Sequence, residues 1–96
     1  MTTISDHVEI GPFTMIHSFC TFGHDVKIGA YNSVEAYCFF GGYSSTGEET
    51  TMHVRSSIIR HKHIGSRVSV GFGSVVMRNF GDDVHLFGNP AKKLKF

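Results

Sequence analysis

The sequence lacks any long hydrophobic run, and its longest unbroken apolar stretch is the five residues 36–40. A membrane-spanning helix needs about 20 apolar residues, and the N-terminus also lacks the basic and apolar segments of a signal peptide. Apolar residues make up 41% of the chain and charged residues 18%, which is typical of a soluble globular protein and excludes a disordered one. We therefore expect one cytoplasmic domain, residues 1–96, without membrane contacts.

The chain also has little net charge, with nine basic and eight acidic side chains. This balance argues against a nucleic-acid-binding protein. The charge is unevenly distributed, however, because residues 1–59 carry two basic and six acidic side chains, whereas residues 60–96 carry seven basic and two acidic ones. The basic C-terminal part either attracts a phosphorylated ligand or is a solvated tail, and charge alone leaves both open.

A six-residue repeat runs from Ile4 to Val76 without an insertion. Twelve of the thirteen residues at this spacing are apolar, and we call this the first position of each hexad. The first positions are Ile4, Ile10, Ile16, Phe22, Ile28, Val34, Phe40, Thr46, Met52, Ile58, Ile64, Val70 and Val76. Glycine occupies the second position in seven of the thirteen hexads, and the fifth position is mostly small or β-branched.

This spacing predicts a stack of triangular coils built from parallel strands. A period of six does not form one stripe on a helix, and the glycine content also opposes helix. Short strands joined by tight, glycine-assisted corners fit the pattern, with three hexads per 18-residue coil and about 4.8 Å between coils. The predicted coils are 4–21, 22–39, 40–57 and 58–75, followed by a partial coil and tail over 76–96. The polar stretch 43–51 keeps the frame, so we interpret it as a corner rather than an inserted loop.

Two segments are more specific than the repeat: IHSFCTFGHDVKIG, residues 16–29, and VGFGSVVMRNFGDDVHLFGNPAKKL, residues 70–94. They resemble the hexapeptide-repeat acyltransferases, in particular the catalytic domain of the nucleotide-amino-sugar N-acetyltransferase and sialic-acid O-acetyltransferase-like branch. The resemblance implies an all-β, left-handed parallel β-helix that forms a homotrimer with active sites between subunits. Full-length members of this branch carry an N-terminal nucleotide-sugar-binding domain, whereas the first hexad here begins at Ile4.

A candidate catalytic histidine lies in the column of residues 18 apart that contains Asp6, His24 and Gly42. These are third positions and are expected to point outward. An imidazole that is neutral near pH 7 can take a proton from an incoming amine or hydroxyl, and a backbone N–H at Gly42 would face the developing oxyanion. By resemblance, Asp25 orients His24 and Gly42 is the oxyanion donor, while Asp6 competes with Asp25 on geometric grounds.

The resemblance implies acetyl-CoA as cosubstrate, bound in the cleft between neighbouring subunits. Glycines in the later coils would let the pantetheine approach the backbone closely, and basic side chains would bind its phosphates. The candidate cofactor-binding residues are Gly71, Gly73, Ser74, Arg60, Arg78 and Lys92.

Three further features of the repeat concern thiols, metals and aromatic side chains. Cys20 and Cys38 are fifth positions 18 apart, and we expect them to stack inside as free thiols, not nucleophiles.

The column His17, Glu35 and His53 could hold zinc, but its spacing favours a hydrogen-bonded surface ladder, and we expect no metal. Aromatic residues at outward fourth positions predict a partner surface or tolerated packing on the sheet face. These are Phe13, Phe19, Tyr31, Tyr37 and Tyr43.

The sequence-based hypothesis is an acetyl-CoA-dependent acetyltransferase that acts on an amine of a nucleotide-linked or other sugar, by direct transfer with a histidine base. A sugar O-acetyltransferase is the alternative within enzymes, because the same base could serve a hydroxyl. A structural β-helix without activity and a metal-dependent carbonic anhydrase remain further alternatives. Few coils and an uncapped first coil predict that a monomer is weak and that assembly is needed for stability.

Overall fold

The computed structural model describes residues 1–94 and consists of strands and turns. None of these residues forms a helix that could cross a membrane. The strands are β1 (Thr3–Ile4), β2 (Glu9–Ile10), β3 (Met15–Ile16), β4 (Thr21–Phe22), β5 (Lys27–Ile28), β6 (Ser33–Val34), β7 (Phe39–Phe40), β8 (Ser45–Thr46), β9 (Thr51–Met52), β10 (Ser57–Ile58), β11 (His63–Ile64), β12 (Ser69–Val70), β13 (Val75–Val76), β14 (His85–Gly88) and β15 (Ala91–Lys93).

The strands form three parallel sheets that are the faces of a prism. Face 1 has the order β1-β4-β7-β10-β13, face 2 the order β2-β5-β8-β11, and face 3 the order β3-β6-β9-β12-β14-β15. Thr3 pairs with Thr21, and Ser57 pairs with Val75, so each pairing in these coils joins residues 18 apart. The predicted 18-residue coil and parallel β-helix are therefore confirmed.

The number of coils differs from the prediction, because the expected partial coil is a complete fifth turn. This turn is slightly shorter than the others, since Ile64 bridges to Phe80, and Val70 pairs with Leu86. The hairpin of β14 and β15, which pair antiparallel, then ends the described chain. The predicted domain and tail both extend to residue 96, and residues 95 and 96 lie outside the described part.

The first-position side chains fill the inside of the prism. From Phe22 to Val76 they are all buried, and the rings of Phe22 and Phe40 stack with centroids 4.8 Å apart. Ile4 and Ile10 are 54% and 37% exposed because no coil precedes theirs. At the other end the core is closed by three buried side chains of the fifth coil and hairpin: Phe80, Leu86 and Ala91.

The corners differ from the expectation that glycine would make them. The left-handed conformation falls at the fourth position, on non-glycine residues with φ of 55° to 63°. The residues are His7, Phe13, Phe19, Asp25, Tyr31, Tyr37, Tyr43, Glu49, Arg55, His61, Arg67 and Asp83. Most second-position glycines serve close stacking instead: Gly41 has no positive φ, and a Cβ there would collide with the backbone of Arg60. Glycine is required there for space between coils, not for its conformational freedom.

The polar stretch 43–51 stays in frame and is accommodated inside the prism. Thr46 is buried, and its hydroxyl donates to the Asn32 side-chain oxygen at 3.3 Å. The Asn32 amide in turn donates to the carbonyls of Gly29 and Gly47, each at 2.8 Å. A buried polar group is tolerated when it is hydrogen-bonded in this way. The interpretation of this stretch as a polar corner without an inserted loop is therefore correct.

The two cysteines stack inside the prism as predicted. Cys20 and Cys38 are each 1% exposed, and neither is in a disulfide. Their sulfur atoms lie 3.2 Å from the carbonyl oxygens of Glu35 and His53, respectively. Burial raises the pKa of the Cys38 thiol, which lowers the fraction of thiolate at neutral pH. This environment is that of a core side chain rather than a nucleophile.

Candidate active site

Two neighbouring columns of side chains follow the corner between faces 1 and 2. The backbone of each coil is hydrogen-bonded here to the coil before it. The Asp25 N–H donates to the Asp6 carbonyl at 3.0 Å, and the Tyr43 N–H donates to the His24 carbonyl at 3.0 Å. These bonds fix His24 directly between Asp6 and Gly42, as the predicted coil length requires.

His24 is held by the side chain that follows it. Its Nδ1 lies 3.2 Å from Oδ2 of Asp25, while its side chain remains 59% exposed. The left-handed backbone of Asp25, φ 61°, turns the carboxylate back towards the ring. When Nδ1–H donates to a carboxylate, the other ring nitrogen, Nε2, is left free to accept a proton. In residues 1–94 the carboxylate that pairs with this ring is that of Asp25, whereas Asp6 meets this turn through its backbone carbonyl.

Gly42 lies directly against the imidazole. A Cβ placed on Gly42 would come within 3.2 Å of both Cε1 and Nε2 of His24, so the missing side chain leaves the ring next to bare backbone. Within residues 1–94, the Gly42 N–H donates to no protein acceptor, although the Gly42 carbonyl accepts from His61 at 2.9 Å. An exposed imidazole nitrogen and an unused backbone donor therefore adjoin each other. This pair can bind a reacting hydroxyl or amine on one side and a developing oxyanion on the other.

Two of the predicted phosphate-binding side chains, Arg78 and Lys92, lie together beyond Gly42. Arg60 follows Gly42 in the same column, and Arg78 follows Arg60, because Ile58 pairs with Val76. Arg78 and Lys92 line one cavity of about 250 Å³, and the Arg78 guanidinium lies 5.0 Å from the centroid of the Phe80 ring. Guanidinium and ammonium groups in this arrangement fit an anionic ligand.

The predicted glycines for the cofactor lie at a different corner, between faces 3 and 1. Gly73 has φ 67° and no atom within 4 Å of its missing side chain, so a ligand could approach its backbone. Gly71 contacts the Phe87 ring beside a cavity of about 330 Å³. One copy of the chain therefore does not bring these two glycines to His24.

The assignment of Ser74 to the cofactor needs correction. Ser74 occupies a fifth position and is 1% exposed. Its hydroxyl accepts a hydrogen bond from the Gly88 N–H at 2.9 Å, and its carbonyl accepts from Ser57. These groups already have partners inside the prism, so Ser74 is not available to a ligand on the surface.

Sequence reasoning missed one member of the site. The His61 ring stacks on the Tyr43 ring, with centroids 5.0 Å apart and planes 6° from parallel. The Tyr43 ring also meets the His24 ring at 88°, with centroids 5.1 Å apart. The available signal was the spacing, because His61 follows Tyr43 by one full coil. The Tyr43 and His61 rings border a cavity of about 330 Å³ that Asp25, Lys27 and His63 also line.

Two members of the predicted histidine column on the corner between faces 3 and 1, Glu35 and His53, are in contact at the surface. His53 Nδ1 lies 3.4 Å from Glu35 Oε1, and that oxygen also accepts from the Val54 N–H at 3.0 Å. No group of three metal-ligating side chains within residues 1–94 has the geometry of a metal site. The carboxylate of Glu35 is thus committed to hydrogen bonds with the next coil.

Comparison with known proteins supports the interpretation of the sequence as a hexapeptide repeat. Residues 2–42 match the family described as bacterial transferase hexapeptide (six repeats). No curated protein shows a significant match. The resemblance to hexapeptide-repeat transferases that the sequence indicated is therefore confirmed for this part of the chain.

Several solved structures with the same fold are acetyltransferases. PerB from Caulobacter crescentus, solved with CoA and GDP-perosamine, is 26% identical with a TM-score of 0.78, over 98% of this chain and 54% of that one. The acetyltransferase domain of PglB from Neisseria gonorrhoeae, solved with acetyl coenzyme A, is 22% identical with a TM-score of 0.88, over 97% and 54%. Serine acetyltransferase (CysE) from Neisseria gonorrhoeae is 22% identical with a TM-score of 0.93, over 97% and 41%. The chain thus spans about half the length of the proteins that it matches.

Proposed function

We propose that this chain, which resembles the hexapeptide-repeat acetyltransferases, transfers an acetyl group from acetyl-CoA to an amine of a nucleotide-linked or other sugar. The observation that carries the proposal is the position of His24, paired with Asp25 and directly against the backbone of Gly42. The similarity to PerB, whose structure contains CoA and GDP-perosamine, supports the choice of cosubstrate and acceptor class.

In the proposed reaction, His24 acts as general base. The acceptor nitrogen attacks the thioester carbonyl while His24 takes its proton, and the Gly42 N–H donates to the oxyanion that develops. The C–S bond then breaks as the carbonyl re-forms, and the departing sulfur receives the proton from His24. Asp25 stabilises the imidazolium between these two proton transfers. The acetyl group passes directly from sulfur to nitrogen, without an acyl-enzyme.

The proposal includes a homotrimer, because His24 and the two cofactor glycines lie at different corners of one prism. In a trimer, the corner that carries Gly71 and Gly73 on one copy can face the corner that carries His24 on its neighbour. The exposed aromatic pairs are the proposed partner surface: Phe13 stacks on Tyr31 at 5.2 Å, and Phe19 stacks on Tyr37 at 5.1 Å. Arg60, Arg78 and Lys92 are the proposed phosphate ligands. A cytoplasmic location, as expected from the sequence, belongs to the same proposal.

The activity is tested by incubating the purified chain with acetyl-CoA and an amino sugar nucleotide such as GDP-perosamine. We expect release of the free CoA thiol, measured with a thiol reagent, and a matching gain of acetyl mass on the acceptor. A parallel reaction with a sugar that offers hydroxyls but no amine separates N-acetylation from O-acetylation. The inactive structural β-helix predicts instead that acetyl-CoA does not bind at all, and isothermal titration calorimetry measures this directly.

The pairing of His24 with Asp25 predicts which carboxylate matters. Asp25→Asn should lower kcat by roughly 10- to 100-fold, because the neutral amide stabilises the imidazolium less than a carboxylate does. Asp6→Asn is the matched control and should stay within about twofold, since Asp6 reaches this turn through its backbone. Steady-state kinetics with saturating acetyl-CoA measures both. A larger loss for Asp6→Asn than for Asp25→Asn would reverse the assignment.

A further inference from the structure

Tyr43 lies between two histidine rings that come from the coils on either side of it. His24 belongs to the coil before Tyr43 and His61 to the coil after it, so the phenol ring has an imidazole neighbour in each adjacent coil. The His61 ring is parallel to Tyr43 at 5.0 Å, and the His24 ring is perpendicular to it at 5.1 Å. Tyr43 therefore contacts the proposed base and is covered on one face by His61.

This arrangement limits the orientation of the imidazole. Asp25 holds Nδ1 and Gly42 lies against Cε1 and Nε2, but the side chain is 59% exposed and its outer side is open, so neither of them prevents the ring from turning towards solvent. The perpendicular contact with the Tyr43 ring opposes that turn. Perpendicular aromatic contacts of this kind are favourable because the edge of one ring is positive and the face of the other is negative. His61 limits movement of Tyr43 by stacking on its ring.

We propose that Tyr43, supported by His61, is a positioning residue for His24: the perpendicular contact between the two rings sets the orientation of the imidazole against Gly42. The expected effect of Tyr43 on kcat rests on the proposed acetyl transfer. The orientation of the His24 ring by Tyr43 does not depend on that activity. The proposal assigns a role to the aromatic ring and none to the phenol hydroxyl. Phenylalanine at this position should therefore work as tyrosine does, whereas an aliphatic side chain of similar volume should not.

The structural part of the proposal is tested by NMR of the 96-residue chain without substrate. The ring-proton signals of His24, assigned by comparison with His24→Gln, should carry a ring-current shift from Tyr43. Tyr43→Phe should preserve this shift, whereas Tyr43→Leu, which keeps much of the volume but has no ring, should abolish it. Unaltered His24 signals in folded Tyr43→Leu would overturn the proposal.

The expected effect of Tyr43 on kcat is tested with acetyl-CoA and the amino sugar nucleotide used above. Tyr43→Leu should lower kcat roughly tenfold, the effect of a misoriented base, while KM for acetyl-CoA changes less than twofold. Tyr43→Phe should remain within about twofold of the wild-type kcat. Equal losses in Phe and Leu variants would show that the hydroxyl acts instead and would overturn the proposal. If the wild-type chain transfers no acetyl group, the proposed function fails, whereas the NMR result still decides the role of Tyr43.

Discussion

Replacing His24 by alanine should lower kcat for acetyl transfer by about 100- to 10,000-fold, the usual contribution of a general base. The substitution removes the group that takes the acceptor proton and returns it to the departing sulfur. It leaves the Gly42 N–H and the proposed phosphate ligands in place, so KM for acetyl-CoA should change little. Steady-state kinetics of thiol release, with circular dichroism as a check of folding, measures this expectation.

His17→Ala is the matched control for this experiment. His17 is also an exposed histidine, but it lies on the corner between faces 3 and 1 and in the first coil. The substitution should lower kcat far less than His24→Ala does, because His17 lies three coils before Gly71 on that corner. Retention of activity within a few-fold in His24→Ala, in a folded protein, would remove His24 from the reaction. The proposed mechanism would then lose its base.

Gly41→Ala is expected to destabilise the fold by about 3 kcal/mol, at the upper end of the usual cost of overpacking. A Cβ at Gly41 would lie 2.8 Å from the Cα of Arg60 and 2.9 Å from the carbonyl carbon of Ile59. These are backbone atoms, and they cannot move away without disturbing the ladder in which the Gly41 N–H donates to Ile58 at 2.8 Å. The expected change in the free energy of unfolding is measured by urea denaturation at fixed protein concentration.

Gly81→Ala provides the control at another corner glycine. A Cβ at Gly81 meets nothing within 4 Å, and its φ is not positive. The substitution should therefore be neutral or stabilise by about 0.5 kcal/mol, through the reduced freedom of the unfolded chain. Equal destabilisation by Gly41→Ala and Gly81→Ala would contradict the close stacking of coils that the 18-residue register requires.

The register of the coils could be predicted from the sequence because one side chain in six must fill the prism. The roles of its glycines could not be predicted in the same way. A glycine in a tight repeat suggests a turn with positive φ, whereas here Tyr43 and Asp25 adopt that conformation and Gly41 provides space. The need for space depends on the distance between coils, which a single sequence does not show. The fifth coil was underestimated because the six-residue frame shifts between Val76 and Phe80.

The part of the candidate site that depends only on the 18-residue spacing could be predicted from the sequence. His24 and Gly42 occupy one column in successive coils, and the structure brings them into contact. The choice between Asp25 and Asp6 needed the direction of a side chain at a left-handed corner. Ser74 was assigned to the cofactor by family resemblance, although its inward fifth position predicts burial. His61 was missed because ring stacking between coils depends on side-chain rotamers.

The most direct test of the account is a crystal structure of the chain with bound CoA. The proposed mechanism predicts that the CoA sulfur lies beside His24 Nε2 and the Gly42 N–H of one copy. The pantetheine should follow Gly71 and Gly73 of a neighbouring copy. Arg60, Arg78 or Lys92 should contact the phosphates. A CoA sulfur bound far from His24 and Gly42 in every copy would contradict the proposed chemistry.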